Sequence, residues 1–174
     1  MAPHERGSYG SSRMTETRWS RVLAALWDRS TRHESPEMAG RRGAVAGGAS
    51  GDVLELGFGT GANWRYLPLG INYVGIEPDR AMLSRARAHA LDSDRAIRLI
   101  RAEAEALPFA AASFDTVFAT LTLCSVRNLD AVLKEIARVL RPGGEFRFWE
   151  HVRPRNRIAG LITDVASPGW ARAG

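Results

Sequence analysis

The chain has 174 residues, with 24 Lys or Arg against 19 Asp or Glu, for a formal net charge of +5. Hydrophobic residues make up 45% and charged residues 25%; that excludes wholesale disorder and a coiled-coil rod, and leaves one domain with a real core. A single cysteine, Cys124, excludes an internal disulfide framework and a cysteine-based zinc site and fits a cytoplasmic, reducing setting.

Residues 1–17 are rich in Gly, Ser and Arg, carry no apolar periodicity and read as a disordered tail without the core of a secretory signal. Residues 18–49 read as N-terminal helices. The first places Trp19, Val22, Leu23, Leu26 and Trp27 at helical spacing over 18–32. The second opens with Ser35 as N-cap and Pro36 behind it, and ends at Gly47 and Gly48.

From Asp52 strands and helices alternate. Asp52–Leu56 is an apolar strand running into Gly57, Gly59 and Gly61, with a helix expected from about Ala62. Asn72–Glu77 is a second strand, and Asp79 caps a helix reaching about Leu91. Ile97–Arg101 and Phe114–Thr120 are the third and fourth strands. The least polar run, Val117–Val126, is too short to cross a bilayer, so no transmembrane segment is expected. Asp130 is expected to cap a helix that Arg141-Pro142-Gly143-Gly144 stops, and Glu145–Glu150 is the fifth strand. The alternation predicts an α/β fold: a Rossmann-like, doubly wound, mainly parallel sheet with helices on both faces.

The chemistry concentrates at the strand ends. Glycines after the first strand permit a tight turn and close backbone approach to a ligand. Glu55 lies two residues before the first glycine, where a carboxylate receives loop amides or attracts a cation. Glu77 ends the second strand, where an acid can chelate both hydroxyls of a ribose. Glu103 follows the third strand, where a carboxylate can accept from an adenine amino group. Singly, each acid also reads as a solvated loop or helix-start residue. Together they suit a cationic nucleoside better than a pyrophosphate, which wants the helix N-terminus unobstructed.

Val53-Leu54-Glu55-Leu56-Gly57-Phe58-Gly59-Thr60-Gly61, Gly75-Ile76-Glu77-Pro78, Ala104-Glu105-Ala106-Leu107-Pro108-Phe109, Ser113-Phe114-Asp115 and Leu140-Arg141-Pro142-Gly143-Gly144 occur in this order. So arranged, the chain resembles a class I S-adenosylmethionine-dependent methyltransferase of the type 11 group, over about Asp52 to Val152. Thr120-Leu121-Thr122-Leu123-Cys124-Ser125-Val126, with Glu150-His151-Val152 later, is similar to the thiol S-methyltransferase-like branch. The resemblance implies S-adenosylmethionine as cofactor, held by a core over 50–152. Glu55, Gly57, Gly59 and Gly61 would then shape the methionine end, and Glu77 would hold the ribose diol. Met82 would pack near the adenine, and Glu103 with the backbone of Ala104 would read its edge. Thr120 and Leu121 would line the floor beneath the methyl group. Phe58 stands where many relatives carry a small residue or Cys, and either crowds the loop or packs on the first helix.

The acceptor implied is a small molecule: a thiol, a quinol or phenol, or an amine. His151 is the one candidate base, with a hydrogen-bonded structural role as its alternative. Cys124, inside an apolar run, is expected to be buried and unreactive. No metal-ligand spacing stands out. The family's sheet carries two more strands, which 153–174 does not supply; residues 158–165 suit one short helix. The chain therefore reads as truncated at its C-terminus, with the fifth strand left as an edge for homodimer formation.

Three alternatives accompany this reading. The chain could be a cofactor-binding remnant with impaired turnover. Gly57-x-Gly59-x-x-Ala62 also satisfies a loose NAD(P) fingerprint of an oxidoreductase. Nucleic-acid binding would use the basic excess, but residues 1–49 carry +3, 50–150 carry −1 and 151–174 carry +3. Charge confined to the flanks reads as solvated, and no nucleic-acid partner is expected.

Overall fold

The computed structural model describes residues 18–91 and 96–150. The expected tail over 1–17, the candidate base His151 and the C-terminal segment 153–174 with its expected helix lie outside the described residues.

Two N-terminal helices, α1 (Arg18–Arg32) and α2 (Pro36–Ala46), precede five strands: β1 (Asp52–Leu56), β2 (Asn72–Ile76), β3 (Arg98–Ile100), β4 (Phe114–Thr120) and β5 (Leu140–Trp149). Helix α3 (Arg80–Leu91) lies between β2 and β3, and α4 (Leu129–Val139) between β4 and β5. The strands form one sheet in the order β3-β2-β1-β4-β5, with every pairing parallel. The α/β expectation therefore holds. So do the cap of α2, where the Ser35 hydroxyl accepts from the Met38 amide, and the cap of α3, where Asp79 accepts from the Met82 amide at 2.8 Å.

Strands covered on both faces read as nearly continuous apolar runs, and β1 and β4 do so here. On one face Leu54, Leu56, Val117 and Ala119 pack against Val132, Ile136 and Val139 of α4. On the other, Val53, Tyr73 and Phe118 pack with Val45 and Ala46 of α2 and Ala86 of α3. Parallel pairing brings the C-terminal ends of all five strands to one edge of the sheet.

Four expectations are corrected. No α-helix follows the glycine loop: a 3-10 turn, Trp64–Tyr66, replaces it. Pro68 is the reason, because the residue before proline avoids the helical region, and Leu67 is extended at ψ 138°. Asn128, not Asp130, caps α4, its side chain accepting from the Ala131 amide at 3.0 Å. Strand β5 starts at Leu140, paired with Phe114, and takes in Arg141–Gly144 as a bulge with Gly143 at φ +82°. Cys124 is exposed, because the chain leaves β4 at Thr120 and turns through a short 3-10 segment, Leu123–Ser125.

Candidate functional site

The loop after β1 is built on three left-handed glycines, Gly57, Gly59 and Gly61, at φ +65°, +59° and +97°. Gly57 is also closed sterically, since a Cβ there would lie 2.4 Å from the Thr122 side chain. The Thr122 hydroxyl in turn donates to the Leu56 carbonyl at 3.1 Å, which ties the β4 exit to the loop. Phe58 is buried under the loop, tilted against Tyr73 at 5.9 Å and filling the space above Gly75. It thus packs on the face of β2 beneath the loop.

The loop's own donors are largely engaged. The Phe58 amide donates to the Ile76 carbonyl and the Gly61 amide to the Phe58 carbonyl. The Gly59 amide donates to Glu77 Oε2 at 2.9 Å. Glu77, at the end of β2, also accepts from the Asp79 amide through Oε1 at 2.9 Å. Burial pushes its carboxyl up to about 7 against those two stabilising amides.

Glu55 lies beneath the loop, wholly shielded from solvent. Its carboxyl accepts from Asn63 Nδ2 at 2.6 Å and from the Tyr73 hydroxyl, and burial pushes it up to about 7. Its side chain therefore braces the loop from inside. Thr120 is buried too, its hydroxyl oxygen accepting from Arg42 Nη1 at 2.9 Å and Asn63 Nδ2 at 2.7 Å. Leu121 donates its amide to the Trp149 carbonyl at 2.8 Å and adopts φ +57°, so the chain bends at the end of β4. Met82 sits half-buried in the first turn of α3, Ala104 is buried, and Glu103 is exposed beyond β3.

Two groups of residues have roles that the sequence did not assign. Arg42 of α2 is buried and bonds Glu34 Oε2 at 2.8 Å, Asn63 Oδ1 at 2.9 Å and the Thr120 hydroxyl. Tyr66 donates to Glu34 Oε1 at 2.6 Å, so one polar network joins α2, the loop and the end of β4. Glu150 accepts from the amides of Thr122 at 2.7 Å, Leu123 at 2.8 Å and Cys124 at 3.4 Å, clamping the turn after β4. Partial burial, then the charge of Glu150, raises the Cys124 thiol above its ordinary range.

A cleft of about 160 Å³ opens on the helix side of the loop, lined by Asp28, Arg32, Thr60, Gly61, Arg65 and His89 among others. It adjoins the second half of the loop rather than the strand ends.

A family model described as a methyltransferase domain matches residues 54–148. The chain belongs to the methyltransferase family. Thiol S-methyltransferase TMT1B of Homo sapiens is 38% identical over 133 residues, which cover 73% of this chain and 54% of that protein. The ubiquinone/menaquinone biosynthesis C-methyltransferase UbiE of Hahella chejuensis is 34% identical over 145 residues, covering 82% and 55%. The chain spans about half the length of the curated relatives it matches. In fold it is similar to the methyltransferase solved with the Haloferax volcanii Trm112 activator, at TM-score 0.69 and 21% identity, covering 92% of this chain and 77% of that one.

The family's cofactor is S-adenosylmethionine, and the donor set fits it. The engaged amides of Phe58, Gly59 and Gly61 leave the loop poorly equipped for a pyrophosphate. The 3-10 turn supplies no α-helical N-terminus to hold one either. An anchored carboxylate at the end of β2 instead suits a diol.

Proposed function

We propose that this methyltransferase binds S-adenosylmethionine across the C-terminal ends of β1 to β4 and methylates a small-molecule thiol. The observation that carries the cofactor reading is Glu77, whose two oxygens are fixed by the Gly59 and Asp79 amides at 2.9 Å. Each oxygen of an ionised carboxylate retains a lone pair, so the pair can receive both hydroxyls of a ribose. Met82 and the Glu103–Ala104 segment flank the adenine, and the glycine loop cradles the methionine end with Glu55 beneath it. Thr120 and Leu121 form the floor.

When bound, the cofactor supplies an electrophilic methyl group on a sulfonium. The protein's contribution is position: an in-line approach enforced by a rigid floor can supply up to about 7–11 kcal/mol. The Glu150 clamp and the Arg42 network hold that floor. The choice of a thiol rests on the similarity to the thiol S-methyltransferases, and quinols and amines are the competing acceptors. A homodimer through the β5 edge is compatible with this reading, as β5 pairs only with β4 among the described residues.

The test is transfer of labelled methyl from S-adenosylmethionine to a panel of thiols, quinols and amines. Thiol methylation supports the proposal. Methylation of quinols or amines alone would reassign the acceptor. Binding of S-adenosylhomocysteine with no transfer to any class would favour the impaired-remnant reading.

A further inference from the structure

Helix α1 leaves half of its apolar series outside: Leu23 and Trp27 are half-buried beside buried Ala24, whereas Trp19, Val22 and Leu26 are exposed. A surface helix ordinarily turns its apolar stripe to the core. Here the buried residues are Ala24, Asp28 and Thr31. Trp19, Val22 and Leu26 face solvent at 61%, 47% and 58% exposure. At about 100° per residue, these three share one stripe about 60° wide. Arg18 and Arg29, both exposed, project from the adjoining strip, and Arg32 lies beyond them. The helix's only acid, Asp28, is buried and paired with Arg32 at 3.0 Å and Arg85 at 3.5 Å. The solvent face of α1 therefore combines tryptophan, aliphatic side chains and arginine, with no carboxylate.

The placement of α1 gives this face a direction. Asp28 meets Arg85, and Arg32 meets His89 at 2.9 Å, the same four-residue step on each helix. Helices α1 and α3 therefore run parallel. Because α3 starts just after Glu77, the half of α1 bearing Trp19 and Val22 lies toward the strand ends that form the candidate site. Trp27 touches the loop itself, its Nε1 being 3.5 Å from where a Cβ on Gly59 would stand.

We propose that α1 is an interfacial helix that docks the protein on an anionic lipid bilayer, with the rim of the methyl-transfer site at the lipid surface. Trp19, Val22 and Leu26 enter the headgroup boundary, and Arg18 and Arg29 meet the anionic headgroups. A second copy fits this face less well, since pairing two such helices would gather their arginines in one seam with no acid between them. A nucleic acid would use the arginines and leave the apolar stripe in water. A bilayer satisfies both, and it concentrates apolar acceptors where the site opens.

Co-sedimentation of the full chain with vesicles tests this. Vesicles of equal parts phosphatidylglycerol and phosphatidylcholine should bind the protein, those of phosphatidylcholine alone far less, and salt should weaken the binding. Trp19→Ser with Leu26→Ser should reduce partitioning at least about tenfold, since it removes most of the inserted area. Arg18→Glu with Arg29→Glu leaves the stripe intact and should cost roughly fivefold or more per arginine. The affected side chains are exposed, and if one pair fails to fold, the other decides. No vesicle binding by the unaltered chain would overturn the proposal. So would binding that neither pair of substitutions weakens, or a dimer that the substitutions dissolve while vesicles are ignored.

Discussion

Replacing Glu77 by Gln probes the cofactor site at its most constrained point. The carboxylate is 8% exposed, receives the Gly59 and Asp79 amides at 2.9 Å, and titrates at about 7 because burial raises it. Glutamine turns one acceptor oxygen into a donor, which then opposes a backbone N–H. It also offers one acceptor to a diol instead of two. A hydrogen bond to a charged acceptor is worth about 1.5–3 kcal/mol, so the affinity for S-adenosylhomocysteine should fall roughly 10- to 150-fold. The unaltered protein should bind more tightly as pH rises through about 7, because ionised Glu77 is the form that accepts both hydroxyls. The Gln variant should lose most of that dependence. Calorimetric titration between pH 6 and 8 reads both effects. Affinity within twofold of the unaltered protein at pH 8, with the same pH profile, would refute the role given to Glu77.

Stability should also depend on pH. Glu55 and Glu77 both move from the usual 4.5 to about 7 on folding. The stabilisation each provides is complete below 4.5 and lost as pH rises through 7, about 3 kcal/mol apiece. Urea unfolding at about pH 5 and pH 8 measures this, and equal stability at the two would contradict it. Arg42→Met should destabilise the fold by about 3–5 kcal/mol, because Glu34, whose side chain is 3% exposed, loses its buried partner; denaturant unfolding reads the loss. Cys124 should alkylate more slowly than a small reference thiol at pH 8 despite its exposure, because its thiol is raised. Faster alkylation would contradict the Glu150 clamp.

What was legible in the sequence was local. Ser35-Pro36 and Asp79 carry their own capping chemistry, and β1 and β4 announce burial on both faces through unbroken apolar runs. The glycine loop, Glu77 and Thr120 fell at strand ends because parallel pairing puts those ends on one edge. What was not legible depended on distant partners. Arg42 bonds residues 21 and 78 positions away, and Glu150 caps amides 26 to 28 positions earlier. No local spacing encodes either. The helical pattern of α1 gave its existence but not its orientation: the stripe of Trp19, Val22 and Leu26 is equally regular whether it faces core or solvent. The helix expected after the loop failed through Pro68, a signal that lay in the sequence and was outweighed by the glycine pattern.

Calorimetric titration of the folded chain with S-adenosylhomocysteine, alongside NADPH, tests the central claim most directly. The geometry of Glu77 and the glycine loop predicts one-to-one binding of S-adenosylhomocysteine and none of NADPH. Binding of NADPH, or a folded chain that binds neither, would contradict it.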